Sequence, residues 1–166
     1  MNATKITTQI SNEANLLNIK KWDYGASFSS DFSVQVDKGE AKQLKASQKQ
    51  VITLRVWNKT NLVGITTTSD LSETGIRKAL NQANIAANFG NKNEITDFSP
   101  LAKDPIQVKE TDKKSPLGIK KLLKILREAE LKLLDSHEAI KSIPYNGLSE
   151  SFYERIYANS DGALRN

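Results

Sequence analysis

The chain has 166 residues, 38% of them hydrophobic and 26% charged, a balance that is typical of globular proteins and argues against disorder throughout. It contains no cysteine, so disulfides, thiolate catalysis and thiolate zinc sites are excluded, and its single histidine leaves little for transition-metal chemistry. No apolar run approaches the roughly 20 residues of a membrane helix, and the first residues lack the pattern of a secretory signal, so we expect a cytoplasmic protein with no membrane partner.

The N-terminal segment combines a helical period with a strand period. Apolar residues spaced by three and four predict an amphipathic helix over residues 7–21, with Thr4 or Thr7 as its N-cap. Residues 27–37 then alternate apolar and polar side chains, which is the period of a strand with one covered face. Gly39 supplies the tight turn that follows, because glycine accepts a positive φ without steric cost.

Three further strands are predicted after this turn. Residues 40–47 form a weaker, lysine-containing strand typical of a sheet edge, and residues 47–50 turn the chain again. Residues 51–57 alternate clearly, and the polar segment 58–61 turns the chain into a strand over residues 62–68. The prediction for this part of the chain is therefore a meander of four antiparallel strands.

A helix follows the meander, then a long connection and a third helix. Residues 76–87 place apolar side chains on one side of a helix, with Ser72 as the N-cap and Asp70 as the alternative. Residues 94–116 contain three prolines among polar residues and predict an irregular linker. Residues 119–133 carry a strong leucine stripe, which we expect to pack on the protein's own sheet, although a basic amphipathic helix can also bind membranes or a partner's groove.

The C-terminal segment begins a further hairpin. Residues 152–158 alternate, residues 159–162 form a turn, and the second strand has only three residues. Arg55-Val56-Trp57 is similar to Arg155-Ile156-Tyr157, which indicates a repeated sheet-plus-helix unit whose second copy is truncated. We therefore expect the chain to be cut from a longer protein.

Together these patterns predict an α+β fold, in which a mostly antiparallel, curved meander sheet is covered by amphipathic helices. The predicted domains are a helix, four-stranded meander and helix unit at 1–93, a linker at 94–116, and a helix with the start of a second β unit at 117–166.

The sequence offers no catalytic, cofactor-binding or metal-binding constellation. His137-Glu138 is the one place similar to a zinc protease helix, but the positions for a second histidine hold Lys141 and Ser142, so His137 is interpreted as a polar residue past a helix end. No glycine run of the phosphate-binding type is present. The predicted catalytic, cofactor and metal residues are therefore none.

Two other sets of polar residues were considered for chemistry. The hydroxyl run at the end of the fourth predicted strand is interpreted as strand and turn residues, since no base is predicted beside it. It consists of Thr66, Thr67, Thr68 and Ser69. Asp31, Asp70 and Glu73 could act as a general acid and base only if the fold brought them together.

The basic excess of the chain, 24 lysines and arginines against 19 acidic residues, could attract a phosphate backbone. Much of it falls at Lys103, Lys109, Lys113, Lys114, Lys120, Lys121 and Lys124. These lysines are not interleaved with stacking aromatic residues, so we interpret them as a solvated surface and expect no nucleic-acid partner.

Two short motifs resemble the N-terminal region of the TldD/PmbA family, proteins described as modulators of DNA gyrase and as a metalloprotease. The first is GITTTSDLS, residues 64–72, which enters the predicted second helix, and the other is IYANSDGAL, residues 156–164. The resemblance covers nearly the whole chain. The Asp-Leu-Ser run is closer to the PmbA branch, also called TldE, than to the TldD branch.

The resemblance implies a bacterial, cytosolic component of a peptide-processing protease. It implies a heterodimer of the two branches that trims peptides, including maturation of a gyrase-poisoning microcin and turnover of an antitoxin, with zinc carried by the TldD branch. A homodimer is the other arrangement considered. On this basis we expect a role in subunit association or substrate enclosure without catalysis, and zinc only in a partner subunit or in sequence beyond this chain. The alternative is a binding module that contacts nucleic acid or gyrase through its basic linker and helix.

Overall fold

The computed structural model describes residues 2–91, 97–102 and 115–166. These residues form the predicted α+β fold, an open five-stranded antiparallel sheet in the order β3-β2-β1-β4-β5 with three α-helices. The helices are α1 at Ala3–Leu16, α2 at Glu73–Ala86 and α3 at Gly118–Ser136. The strands are β1 at Lys21–Asp37, β2 at Glu40–Trp57, β3 at Val63–Thr68, β4 at Gly147–Asn159 and β5 at Leu164–Arg165. Within the described ranges, no helix is long and apolar enough to cross a membrane.

The chain divides into two compact units, to which β1, β2 and β4 each contribute residues. Unit 1 comprises Met1–Phe28, Gln50–Glu110 and Glu154–Asn166, and unit 2 comprises Ser29–Lys49 and Thr111–Tyr153. The two units are defined by the contacts between their residues. The predicted domain limits at residues 93 and 117 stay a prediction.

The first helix of unit 1 is displaced from its predicted position. It spans Ala3–Leu16 and not residues 7–21, and its N-cap is Asn2, whose side chain accepts the Lys5 N–H. The helix ends where Asn18 takes a φ of +57°, a conformation that asparagine tolerates. The Asn18 and Ile19 N–H groups then bond the last turn of the helix in a Schellman arrangement, which frees the following residues to begin β1.

The predicted turn at residues 47–50 is wrong, because β2 runs without interruption from Glu40 to Trp57. The meander therefore has three strands before α2 and not four. Residues 40–51 are exposed on both faces of the strand, so apolar and polar side chains do not have to alternate there. The polar residues at 47–50 therefore have the composition of a turn although they lie within a strand. The tight turn before β2 is confirmed, with φ of +52° at Lys38 and +79° at Gly39.

The β2–β3 hairpin and α2 agree with prediction. Ile52 to Trp57 pair with Thr68 to Val63, and Asn58 organises the turn between them by accepting the N–H groups of Thr60 and Leu62. Ser72 is the N-cap of α2 and accepts the Gly75 N–H at 3.1 Å. The buried face of α2 packs with α1 and the sheet in the core of unit 1. This face consists of Gly75, Ile76, Ala79, Leu80 and Ala83.

The core of unit 2 is formed by α3 and the strand residues beside it. Leu122 and Leu126 pack on Val34 and Val36, which confirms that the leucine stripe covers the protein's own sheet. The later part of the predicted stripe is different, since Leu133 is 50% exposed.

A buried carboxylate joins α3 to the β1–β2 turn. Glu130 is 2% exposed, and its two oxygens accept the N–H groups of Lys38 and Gly39 at 3.1 and 2.6 Å. The sequence did not indicate this contact, because a glutamate on a lysine-rich helix is ordinarily a surface residue.

Candidate functional site

Among the described residues of unit 1, the most heavily buried charge belongs to an ionic cluster of Asp23, Arg55 and Tyr157. Asp23 is 1% exposed, and its carboxylate is bound by the Arg55 guanidinium in a two-pronged contact, with Nε at 2.8 Å from Oδ1. The Tyr157 hydroxyl donates to Asp23 Oδ2 at 3.2 Å. The three side chains come from β1, β2 and β4, so the cluster joins three neighbouring strands.

Aromatic rings surround this cluster. The Arg55 guanidinium carbon lies 5.4 Å from the centre of the Trp57 ring, and Phe98 meets that ring edge to face at 5.0 Å. Lys21 Nζ lies 5.3 Å from the centres of both rings and 3.0 Å from Asp97. Phe98 falls in the segment predicted as linker, but it is buried against the sheet.

The surroundings alter the proton affinities of two members of the cluster. The hydrogen bond to Asp23 raises the pKa of Arg55, which keeps the guanidinium charged. Burial raises the pKa of Tyr157, and the negative charge of Asp23 raises it further. At neutral pH Arg55 is therefore charged and the Tyr157 phenol is neutral.

The raised pKa of Tyr157 predicts a loss of stability in alkali. Below about pH 10 the phenol is neutral in both states, and above it the unfolded chain releases a proton that the folded protein retains. The contribution of Tyr157 to the free energy of unfolding should therefore fall as the pH rises from about 9 to 11, by less than the limit of about 1.4 kcal/mol per pH unit for one group. Burial also raises the pKa of Tyr24, which adds to the decline of the whole protein in the same direction. Urea unfolding of Tyr157→Phe should show a shallower decline, whereas Tyr145→Phe, at a fully exposed position, should follow the unaltered protein.

The motif at residues 64–72 proves to be a set of packing and capping residues. Gly64 lies against the backbone of α2, where an added Cβ would overlap Ala83 O and Ala87 N. The Asp70 carboxylate accepts the Ser72 N–H at 3.0 Å, and an added Cβ at Gly75 would meet that carboxyl group. Hydrogen bonds from Ser72 lower the pKa of the exposed Asp70, so it is ionised at neutral pH.

The motif at residues 156–164 forms the turn between β4 and β5. The side-chain oxygen of Asn159 accepts the N–H groups of Asp161 and Ala163 at 3.1 and 3.0 Å. The Ser160 N–H donates to Trp22 O at 2.9 Å, which joins this turn to β1. Both motifs thus specify local geometry within unit 1.

The predicted similarity between Arg55 and Arg155 does not extend to their environments. Arg55 binds Asp23, whereas Arg155 is exposed. Asp23 is contacted by Arg55 from the first of the two similar segments and by Tyr157 from the second. The sequence indicated neither Asp23 nor this convergence, although the buried neighbours Trp22 and Tyr24 mark the segment as interior.

Several of the residues considered for catalysis have structural partners. His137 follows α3 as predicted, and its Nδ1 accepts the Ala139 N–H. The hydroxyl of Thr67 pairs with that of Thr53, and the Thr68 hydroxyl accepts the Asp70 N–H. In unit 2, Asp31 accepts hydrogen bonds from two serine hydroxyls.

The described part of the chain contains neither a metal-binding cluster nor most of the lysines of the basic segment. No group of three His, Asp or Glu side chains there could hold a metal ion. Lys120, Lys121 and Lys124 are exposed on α3, and Lys124 lies 3.9 Å from Glu128. Lys103, Lys109, Lys113 and Lys114 lie outside the described residues.

Unit 1 also contains a cleft of about 860 Å³ near the aromatic cluster. Its walls are the loop from α1 to β1, the β2–β3 turn and the C-terminal end of α2. The lining residues are Leu17, Asn18, Ile19, Lys20, Lys21, Trp57, Asn58, Lys59, Thr60, Asn61, Asn84 and Asn88. Among the described lining residues, the polar groups are amides, lysine ammonium groups, a threonine hydroxyl and the Trp57 indole N–H.

Comparison with known proteins identifies a family profile. The profile described as PmbA/TldA metallopeptidase domain 1 matches residues 25–87, from β1 to the end of α2. No curated protein sequence matches the chain.

Solved structures include proteins with the same fold. A protein from Thermotoga maritima, described as a candidate modulator of a DNA gyrase, superposes with a TM-score of 0.67 at 12% identity, over 98% of this chain and 36% of its own. TldE from Thermococcus kodakarensis gives 0.60 at 15% identity, over 96% and 36%. A candidate modulator of DNA gyrase from Bacteroides thetaiotaomicron gives 0.54 at 16%, over 98% and 37%. The chain thus spans little more than a third of each of these proteins, and at such identities the likeness shows the fold alone.

Proposed function

The chain belongs to the TldD/PmbA family, and from this premise we propose that it is the N-terminal domain of a peptidase component that serves subunit association or substrate enclosure. The observation that carries the proposal is the domain 1 profile over residues 25–87, whose description names a metallopeptidase. Catalysis belongs, in this proposal, to a partner subunit or to sequence outside this chain.

The use of the buried carboxylates supports a role without catalysis. Asp23 is bound by Arg55. Glu13 is 4% exposed and forms a bidentate contact with the Nε and Nη2 atoms of Arg77. Glu130 accepts two backbone N–H groups. A general acid or base must be able to exchange a proton with substrate, whereas these groups are committed to holding elements together.

The partner in this proposal is a TldD-type subunit, and the shared substrate is a peptide. The fold that this chain shares with TldE supports the proposal that it is a PmbA-like subunit. The DNA-gyrase wording attached to two of the similar structures describes those proteins. Cytoplasmic, bacterial residence stays a prediction of the sequence.

A surface on the β2–β3 hairpin offers a place for association. Ile65 is 53% exposed and lies in register with Arg55, next to the Thr53 and Thr67 pair on the same face. Val51, also exposed, precedes Thr53 on that face. Exposed β-branched side chains on a sheet face are a common component of protein interfaces.

Co-expression with the TldD-type subunit from the same genome tests this role. The two chains should elute together in size-exclusion chromatography, and Ile65→Glu should weaken the complex about tenfold or more, since a charge would be buried on association. Ile85→Glu is the matched control, because Ile85 is 52% exposed on α2, away from the hairpin face. Separate elution of the unaltered chains would contradict the association role.

A second candidate function rests on the exposed Lys120, Lys121 and Lys124 of α3. A nucleic-acid contact there predicts DNA affinity that falls steeply with salt and weakens when the three lysines are changed to glutamine. The nearby Glu128 opposes this candidate, since it offsets the charge of Lys124. Absent or salt-insensitive binding to duplex DNA would dispose of it.

A further inference from the structure

The cleft between the α1–β1 loop and the β2–β3 turn has the chemistry of an anion site. The lining residues that the structure describes include five asparagines and three lysines, and none of them is acidic. Its volume of about 860 Å³ is in the range of small-molecule sites, which is about 300–1,000 Å³. We propose that this cleft binds a ligand bearing a carboxylate or phosphate group.

The lysines differ in how far their charges are already compensated. Lys21 is paired with Asp97 and lies over two aromatic rings, so its charge is largely compensated within the protein. Lys20 and Lys59 are exposed, and in the described part of the chain neither forms an ion pair. These two ammonium groups, one on the α1–β1 loop and one on the β2–β3 turn, are the ones available to an oxyanion.

The walls of the cleft are held in place by an amide network. Asn58 accepts the N–H groups of Thr60 and Leu62, and its own amide donates to Ala87 O at 3.1 Å, which ties the turn to the end of α2. The turn therefore does not have to be ordered when a ligand binds, and preformed walls lower the entropic cost of binding.

Asn84 supplies a further donor on the α2 wall. Its side chain is half-buried, and no hydrogen bond to it is formed within the described residues. A half-buried amide of this kind needs water or a ligand to satisfy it. An oxyanion between the lysines would accept a hydrogen bond from this amide, whereas a cation would be repelled by Lys20 and Lys59.

A different explanation exists for the lysines. Helices α1 and α2 both end at this cleft, and cations near the C-terminus of a helix offset its negative dipole end. In that case Lys20 and Lys59 would contribute to stability without creating a ligand site. The two explanations differ in what happens when an anion is added.

An anion titration distinguishes the ligand site from the helix-dipole explanation. It is followed by NMR signals of the asparagine side-chain amides and the Trp57 indole N–H. The probes are tripolyphosphate and citrate, each at constant ionic strength, so that a phosphate source and a carboxylate source are compared directly. We expect saturable shifts in the cleft amides with at least one probe, and the probe that binds more tightly identifies the source.

The variant Lys20→Gln/Lys59→Gln should weaken that binding about tenfold or more, while Lys5→Gln/Lys42→Gln, which removes the same charge outside the cleft, should leave it unchanged. Both pairs consist of exposed residues, so both variants should fold. The proposal is overturned if neither probe gives saturable shifts, or if the two double variants weaken binding equally. A lower melting temperature for Lys20→Gln/Lys59→Gln without any anion binding would favour the helix-dipole explanation.

Discussion

Replacing Gly64 by alanine is expected to destabilise the protein by about 3 kcal/mol, the upper end of the range of about 1–3 kcal/mol that overpacking typically costs, because neither side of the contact can move. Here the obstacle is backbone, since the added Cβ would overlap Ala83 O and Ala87 N and approach Ala83 C to 3.0 Å. A flexible side chain could turn away, but the backbone of α2 can yield only by moving the helix off β3.

Urea unfolding should reveal this change, and Gly25→Ala is its matched control. Gly25 is also a strand glycine, but a Cβ built there meets nothing within 4 Å and its φ is not positive. Gly25→Ala should leave stability unchanged or raise it by about 0.4–1 kcal/mol, through the reduced entropy of the unfolded chain. Equal stabilities for the two alanine variants would show that α2 does not pack on Gly64 as described.

Replacing Asp23 by alanine is expected to cost about 3 kcal/mol. Removing one member of a buried ion pair costs about 3–5 kcal/mol, because it leaves the other charge without a partner. The lower end applies here, since the Arg55 side chain is 26% exposed and can recover some hydration. The variant also removes the acceptor of the Tyr157 hydroxyl.

Asp31→Ala is the control for this change, because Asp31 lies on the same strand and its partners among the described residues are two serine hydroxyls near the surface. It should cost less than about 1 kcal/mol. The double variant Asp23→Leu/Arg55→Met should be more stable than Asp23→Ala, since an apolar pair leaves no unpaired charge. An Asp23→Ala protein within about 1 kcal/mol of the unaltered one would contradict the structural role of the cluster.

The fold could be predicted where the sequence has a clear period. Residues 51–57 alternate because one face of β2 is buried there, and the apolar spacing of α2 reflects a single covered face. The first part of β2 has no covered face, so its period disappears and a turn was predicted in its place. The start of α1 was misplaced because Asn2 caps the helix, a signal that lies outside the apolar pattern.

The candidate site could not be predicted from the sequence, because its residues are brought together by pairing between distant strands. Asp23, Arg55 and Tyr157 are far apart in the chain and form no spaced motif. The cleft likewise joins three loops and helix ends whose asparagines are individually ordinary turn residues. What the sequence did contain was the pair of motifs.

The first of those motifs lies within the residues that the family profile matches, and both motifs consist of residues that shape the fold. Gly64 allows α2 to approach the sheet, Ser72 caps that helix, and Asn159 forms the last turn. Such positions report architecture, and function has to be argued from other groups. This is why the family could be recognised from the sequence while no catalytic residue was assigned.

The proposed division of labour is tested most directly by measuring zinc content and peptide cleavage for this chain alone and after mixing with the TldD-type subunit. The account predicts that the chain alone binds no stoichiometric zinc and leaves an unfolded peptide intact, and that cleavage appears when the TldD-type subunit is present. Stoichiometric zinc in the purified chain together with cleavage of the peptide, in the absence of any partner, would contradict it.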